Sequence, residues 1–410
     1  MKIRETTVAG LRVAHIPSKS GISCISISVG VGGAYESDKN LGISHFLEHC
    51  NFLGSEKFSK KAYWKEAQKI GADLNAHTSG DWTKYRIECL SHEPIFDRSL
   101  EILADIFMNS KFREDEFEKE RTVVLDEIRR SNDNAWHYFY RQFRQKFCDR
   151  PILGDSEVIE KLSIEDLKQW KNRFYRSDNI VVTVVSSLPF DLITKSIERH
   201  LGALVGCLGQ DFSYTRNQRN DVFPGEYTIT KPGIDQTYYG VAYKGIRPSD
   251  PDFLSAWVLT DLFGCGMASR LGQRIREELG LVYGIHMYTT SGVFSSEIQI
   301  MTSSEDKKIA EIDHEIKELT NKILSNDPAT SEEVKRVKTS VLTGWKQDQD
   351  KAVDIDTIFS PFYITEQITG QRGTYINFEK LLSEVSEESV NRVAKRIFSQ
   401  DKFVGIMKPA

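Results

Sequence analysis

Several features that would mark a secreted, membrane-embedded or nucleic-acid-binding chain are missing from these 410 residues. The six cysteines (Cys24, Cys50, Cys89, Cys148, Cys207 and Cys265) are scattered, and none form a CxxC pair. That pattern excludes a disulfide framework and a zinc ribbon, and it predicts reduced thiols buried one by one. No stretch approaches the roughly 18 consecutive apolar residues of a membrane-spanning helix, so no membrane association is expected. Charge of one sign is also lacking. With 54 Lys+Arg against 59 Asp+Glu, the net charge of -5 offers no sustained positive patch for nucleic acid, and the basic segment Arg141 to Arg150 does not supply one. The N-terminal region carries no secretory signal: from Ile25 to Val31 apolar residues alternate with small polar ones, as in a half-buried strand. A cytoplasmic location is the expectation.

What is present is ordinary globular composition, 40% hydrophobic and 28% charged, arranged as two halves of similar order. The first half reads as strands Leu11 to Pro17 and Ser23 to Val31, then helices Ile43 to Phe52 and Lys60 to Ile70. Strands Ala72 to Ser79 and Thr83 to Leu90 follow, and then helices Pro94 to Asn109 and Glu114 to Ser131. From about Tyr227 the order repeats. Gln236 to Tyr243 stands where Ser23 to Val31 stood, and a helix Pro251 to Phe263 takes the place of Ile43 to Phe52. Gly280-Leu-Val-Tyr-Gly-Ile-His-Met-Tyr parallels Gly71-Ala-Asp-Leu-Asn-Ala-His-Thr-Ser. Residues 1–208 and 222–410 are therefore expected to form two related domains, joined by a Gly- and Asn-bearing linker near Gly202 to Pro224.

The halves differ where chemistry is concentrated. The first carries Gly42-Ile-Ser-His45-Phe-Leu-Glu48-His49, whereas the second has Trp257, Thr260 and Asp261 near the corresponding places. On a helix His45 and His49 lie one turn apart on one face, so two imidazoles can grip one zinc ion. Glu48 lies beside that face, placed to take a proton from the attacking water. A third ligand is needed, and Glu127 in Glu120-Arg-Thr-Val-Val-Leu-Asp-Glu127 is the strongest candidate. Glu120 and Glu127 are nearly aligned over two helical turns, so one can ligate while the other orients a histidine. Asp126 is the rival, but it points about 100° away from Glu127 on an ideal helix. Taken alone, HxxEH is equally compatible with a solvated polar helix face.

The combination is more specific. His45-Phe-Leu-Glu48-His49 is the inverted zinc motif HxxEH. Its setting resembles the pitrilysin/insulinase family, which includes mitochondrial processing peptidase and short bacterial peptidases. The resemblance runs on through Gly71 to Thr78, Glu120 to Ile128, and Ser269-Arg-Leu…Arg276-Glu-Glu-Leu-Gly-Leu-Val-Tyr283, and so spans most of the chain.

The resemblance implies a zinc metalloendopeptidase of short or unstructured peptides, with His45, His49 and Glu127 as zinc ligands and Glu48 as general base. Glu120 matches an accessory carboxylate. Arg276 and Tyr283 match a pair presented to the substrate and to the tetrahedral intermediate, a role that suits a guanidinium and a phenol. Asn75, Ala76 and His77 match an edge-strand segment that binds the substrate backbone, with His77 standing where an aromatic is common. The implied fold is α+β: two similar domains, each a mainly antiparallel sheet covered by helices, together forming one half of a clamshell. Because the chain carries both the zinc motif and the Arg/Tyr pair, a homodimer with active sites completed in trans is expected. A heterodimer remains open. So does the alternative of a non-catalytic or partner-dependent subunit, which loss of a ligand or of the base would mark; neither is lost here.

Overall fold

A computed structural model describes residues 3–147, 150–207, 224–293, 296–373 and 377–410. The expected boundary positions 208 and 222 lie outside them. The chain divides into two compact units, one comprising Met1–Arg130, Arg150–Gln218 and Lys346–Gln371, the other Ser131–Asp149, Arg219–Trp345 and Arg372–Ala410. Neither unit is contiguous in sequence.

The first unit is built on a six-stranded sheet of β1 (Arg4–Val8), β2 (Leu11–Pro17), β3 (Ile22–Val29), β4 (Asp73–Thr78), β5 (Thr83–Leu90) and β6 (Ile180–Ser186). Their order is β1-β2-β6-β3-β5-β4, with β2 and β6 parallel and every other pairing antiparallel. β6, Ile-Val-Val-Thr-Val-Val-Ser, is buried along its whole length, as a near-continuous β-branched run in mid-sheet should be. β4 lies at the edge and alternates instead: Leu74 and Thr78 are buried while Asp73, Asn75 and His77 are exposed.

Helices α1 (Ile43–Asn51), α2 (Lys60–Lys69), α3 (Glu93–Asn109) and α4 (Glu114–Asp133) follow the expected 3.6-residue patterning. A helix from the C-terminal part of the chain, Ala352–Thr369, packs on β3 and β6. It carries two acids to the sheet: Asp356 pairs with Lys84 at 2.9 Å and Glu366 with Arg12 at 2.6 Å. Buried ion pairs of this kind add little net stability, but separating either partner leaves an uncompensated charge.

The second unit repeats the scheme with β7 (Gly225–Lys231), β8 (Thr237–Lys244), β9 (Ile285–Ser291), β10 (Ser296–Ser304) and β11 (Phe403–Pro409), ordered β7-β11-β8-β10-β9. Here β7 and β11 are the parallel pair, and β9 takes the edge position that β4 has in the first unit. Helix α5 (Ala135–Phe147) belongs to this unit, where Phe139 and Phe143 pack with Ala242, Met301, Phe403 and Met407. The α+β class and the mainly antiparallel, helix-covered sheets are as expected. Among the described residues no helix is long and apolar enough to cross a membrane.

Candidate metal centre

Helix α1 is fixed at its start by a buried carboxylate. Glu36 accepts backbone N–H bonds from Gly42 at 2.6 Å and Ser44 at 2.9 Å, meeting donors that the first helical turn leaves unpaired. Burial pushes the Glu36 carboxyl up to about 7, against those bonds. Gly42 is required for two reasons. Its φ is +89°, and a Cβ there would come within 2.6 Å of Gly154 Cα. Ile43, Phe46, Leu47 and Cys50 then enter the core, and Phe46 stacks on Phe117 of α4 with centroids 4.9 Å apart. This packing sets the polar face of α1 against α4.

On that face His45, His49 and Glu127 converge, their donor atoms all within 4.8 Å of one another. Glu127 Oε2 lies 3.6 Å from His45 Nε2 and 3.6 Å from His49 Nε2. Both separations are too long for hydrogen bonds. They are close to the edge of about 3.3 Å between two ligands bound tetrahedrally to zinc at about 2.0–2.1 Å. The donor set is two imidazoles and one carboxylate, a combination that suits zinc with one position left for water or substrate. Burial, with help from His49 and His77, pushes His45 down to about 3, so its ring is the neutral form that ligates. Its Nδ1 is buried with no hydrogen-bond partner among the described residues.

His49 has a different environment. Its Nδ1 lies 2.9 Å from Glu120 Oε1, and Glu120 Oε2 in turn accepts from Lys60 Nζ at 2.5 Å. An ionised carboxylate only accepts, so His49 carries its proton on Nδ1 and turns the Nε2 lone pair toward Glu127. Burial works against charge on His49, but the bond to Glu120 and the carboxylates of Glu48 and Glu127 raise its pKa overall. For Glu120 burial is likewise outweighed by its bonds to His49 and Lys60, which hold its carboxyl below the usual range.

Glu48 is buried beside the histidines, and Thr78 Oγ1 donates to its Oε2 at 2.6 Å. Burial raises the Glu48 pKa, Thr78 and His49 oppose that rise, and Glu127 adds to it. Thr78 and Lys60 are the two contributors that sequence reasoning missed. Thr78 was within reach, since period-two alternation on β4 puts it on the face opposite His77. Nothing in the sequence pointed to Lys60.

Asp126 pairs with Arg129 on the exposed side of α4, not with the histidines. Asn75, Ala76 and His77 lie along edge strand β4, where the His77 and Trp82 ring centroids are 5.4 Å apart. In the second unit, the Arg276 guanidinium sits 5.3 Å from the centroid of the Tyr283 ring, and Tyr283 is 89% exposed. The structure thus brings the pair together on one surface, with Arg276 on a π-helical segment, Gly272–Glu278.

The helix Phe253–Gly264 shows what α1 would be without its donors. Trp257 packs on Phe378 with centroids 5.6 Å apart, Thr260 donates to the Ala256 carbonyl at 2.9 Å, and Asp261 is pushed up to about 6 by burial. No second group of three metal-binding side chains occurs among the described residues. Cys24, Cys50 and Cys89 are buried as expected, but Cys265, which caps the end of this helix beyond its buried last residue Gly264, is exposed. Cys148 and the side chain of Cys207 lie outside the described residues.

Known proteins resemble this chain along most of its length. Residues 12–154 match the profile described as Insulinase (Peptidase family M16), and residues 161–341 match that described as Peptidase M16 inactive domain. An uncharacterized zinc protease of Rickettsia bellii (strain RML369-C) is 28% identical over 401 residues, covering 94% of this chain and 92% of that protein. The mitochondrial-processing peptidase subunit beta of Caenorhabditis elegans is 28% identical over 286 residues, covering 66% of this chain and 61% of that one. In fold, a protease from Helicobacter pylori superposes with a TM-score of 0.91 at 22% identity, each chain covered in full (100%). The chain belongs to the insulinase (M16) peptidase family, and its metal donor set falls within the part matched by the insulinase profile.

Proposed function

We propose that this protein is a zinc-dependent metalloendopeptidase. The observation that carries the reading is the convergence of His45, His49 and Glu127, with Glu127 3.6 Å from each histidine and Glu48 buried alongside. Zinc held by those three side chains supplies a Lewis acid that polarises the scissile carbonyl and acidifies water. Glu48 takes the proton of the attacking water and passes it to the leaving amine. Thr78 orients that carboxylate, while Glu120 and Lys60 lock the His49 ring in the tautomer that ligates.

An extended peptide adds to the open edge of β4 through its backbone, along Asn75, Ala76 and His77, which tolerates many sequences. Arg276 and Tyr283 donate to substrate carbonyls and to the developing oxyanion. In this proposal two chains close around a chamber as a homodimer, each lending its Arg/Tyr pair to the other's donor set, and short or unstructured peptides are the substrates. The Caenorhabditis elegans relative is named as a subunit, which supports a heterodimer as the second arrangement. A cytoplasmic location belongs to the same reading and rests on the free cysteines among the described residues, Cys24, Cys50, Cys89 and Cys265, the first three buried.

The deciding experiment is Glu48→Gln. It should keep about one zinc per chain by metal analysis, yet lower peptide cleavage by roughly 100-fold or more. Full activity with zinc retained would sink the mechanism.

A further inference from the structure

Between the end of α3 and the segment that carries Lys168 and Lys171, the first unit contains a cleft of about 810 Å³. That is within the range of about 300–1,000 Å³ typical of small-molecule sites. Its lining contains four cationic side chains, Lys111, Arg113, Lys168 and Lys171, and no aspartate or glutamate. Lys111 is engaged by Glu56, whereas Arg113, Lys168 and Lys171 form no salt bridge among the described residues. Lys171 is half-buried, and its ammonium donates only to neutral oxygens, Asn51 Oδ1 at 2.7 Å and Ser110 Oγ at 2.6 Å. A half-buried ammonium without a counter-charge is costly, and burial alone pushes it down to about 7. The apolar part of the lining is Phe107, Met108, Phe112, Tyr175, Ala203 and Leu204, of which Met108 and Phe112 keep part of their surface open.

We propose that this cleft binds a small aromatic phosphate monoester, the phosphate held by Lys171, Lys168 and Arg113 and the ring laid against Phe112 and Met108. A carboxylate brings one charge to three cations, whereas a phosphate monoester brings between about 1.5 and 2 with three acceptor oxygens. The surplus of positive charge therefore favours phosphate. Lys171 also joins the cleft to the metal helix. Its partner Asn51 is the last residue of α1 and donates to the Tyr85 hydroxyl at 2.6 Å, which pairs with the Tyr175 hydroxyl at 2.8 Å. A bound phosphate thus contacts the residue that anchors the end of α1. The binding itself does not depend on peptidase activity, so its test stands apart from that of the proposed function.

The test is calorimetric titration of the full chain with phenyl phosphate, inorganic phosphate and phenol. Phenyl phosphate should bind saturably and more weakly as salt rises, inorganic phosphate should bind at least about tenfold less tightly for want of the ring contacts, and phenol should not bind. Arg113 and Lys168 are exposed, so an Arg113→Ala/Lys168→Ala variant should fold normally and lose at least about tenfold in phenyl phosphate affinity. Lys171→Met should abolish binding. Because the rim variant leaves the metal donors intact, it separates binding here from phosphate taken up at the metal centre. The proposal is overturned if phenyl phosphate shows no saturable binding, if the rim variant binds it as tightly as the parent, or if inorganic phosphate binds equally well.

Discussion

Thr78 donates a 2.6 Å hydrogen bond to Glu48, tying edge strand β4 to helix α1 at the one carboxylate of the HxxEH motif. The bond favours the ionised form of a carboxylate that burial pushes toward protonation. Thr78→Val keeps the shape and removes the donor. If Glu48 acts as the base, its pKa rises further and the acid limb of the kcat/KM profile moves to higher pH by roughly one unit. Zinc content should not change. An acid limb in the same place as the parent's would show that Thr78 does not tune the base.

Glu36 makes stability depend on pH in an unusual direction. Its carboxyl is raised from 4.5 to about 7 in the folded chain, so the folded state holds a proton that the unfolded state has released. The contribution is therefore complete below about pH 4.5 and declines as pH rises toward and through 7. The size is on the order of 3 kcal/mol. Urea unfolding at a series of pH values should show that decline in the parent, and Glu36→Gln should flatten it. The variant also loses one acceptor for the Gly42 and Ser44 amides, so it should be less stable than the parent in acid. An unchanged pH slope in Glu36→Gln would assign the dependence to other groups.

These two residues also show where sequence reading reaches its limit. His45, His49, Glu48 and Glu127 were legible because helical spacing puts donors on one face whatever the rest of the chain does. Strands Leu11–Pro17 and Thr83–Leu90 were read to the residue, since alternation and β-branching are local signals. β1, with exposed residues at three of its five positions, and the C-terminal strand β11 were not identified. The larger omission was long-range. The segment around Arg141 drew notice for its basic residues, yet α5 is organised by Phe139 and Phe143, which enter the core of the second unit. Likewise Asp356 and Glu366 are buried acids of the helix Ala352–Thr369, and only the fold reveals Lys84 and Arg12 as their partners.

The Arg276/Tyr283 pair allows a test of assembly. The guanidinium stacks over a phenol ring that is otherwise exposed, so little in its own unit requires the arrangement. Arg276→Ala/Tyr283→Phe should fold and hold zinc but cleave peptide far more slowly. Mixed with Glu48→Gln under conditions of subunit exchange, it should regain activity, because one of the two sites in a mixed dimer would be whole. The limit for random pairing is about a quarter of the parent's activity per chain, since half the dimers are mixed and each has one working site. No recovery despite demonstrated exchange would argue that each chain completes its own site.

The last prediction concerns the hollow in which α5 is seated. Gly240 on β8 and Gly405 on β11 are direct cross-strand partners, and together they leave a gap in the side-chain layer of the second sheet. The Phe143 ring fills it: a Cβ on Gly405 would come within 2.3 Å of Phe143 Cδ2, and one on Gly240 within 3.2 Å of Phe143 Cζ. Alanine is favoured over glycine in a strand interior by roughly 0.5–1 kcal/mol. Forcing a methyl into a packed core costs typically about 1–3 kcal/mol. At 2.3 Å the clash should win, because the contact is with the body of a buried ring that has no free end to swing aside. Gly405→Ala should therefore lower the urea midpoint, and Gly240→Ala should do so by less. Phe143→Leu, itself destabilising, should cost less in the Gly405→Ala background than in the parent, a coupling that a double-mutant cycle measures directly. Additive effects would mean that Phe143 is not what the glycine accommodates.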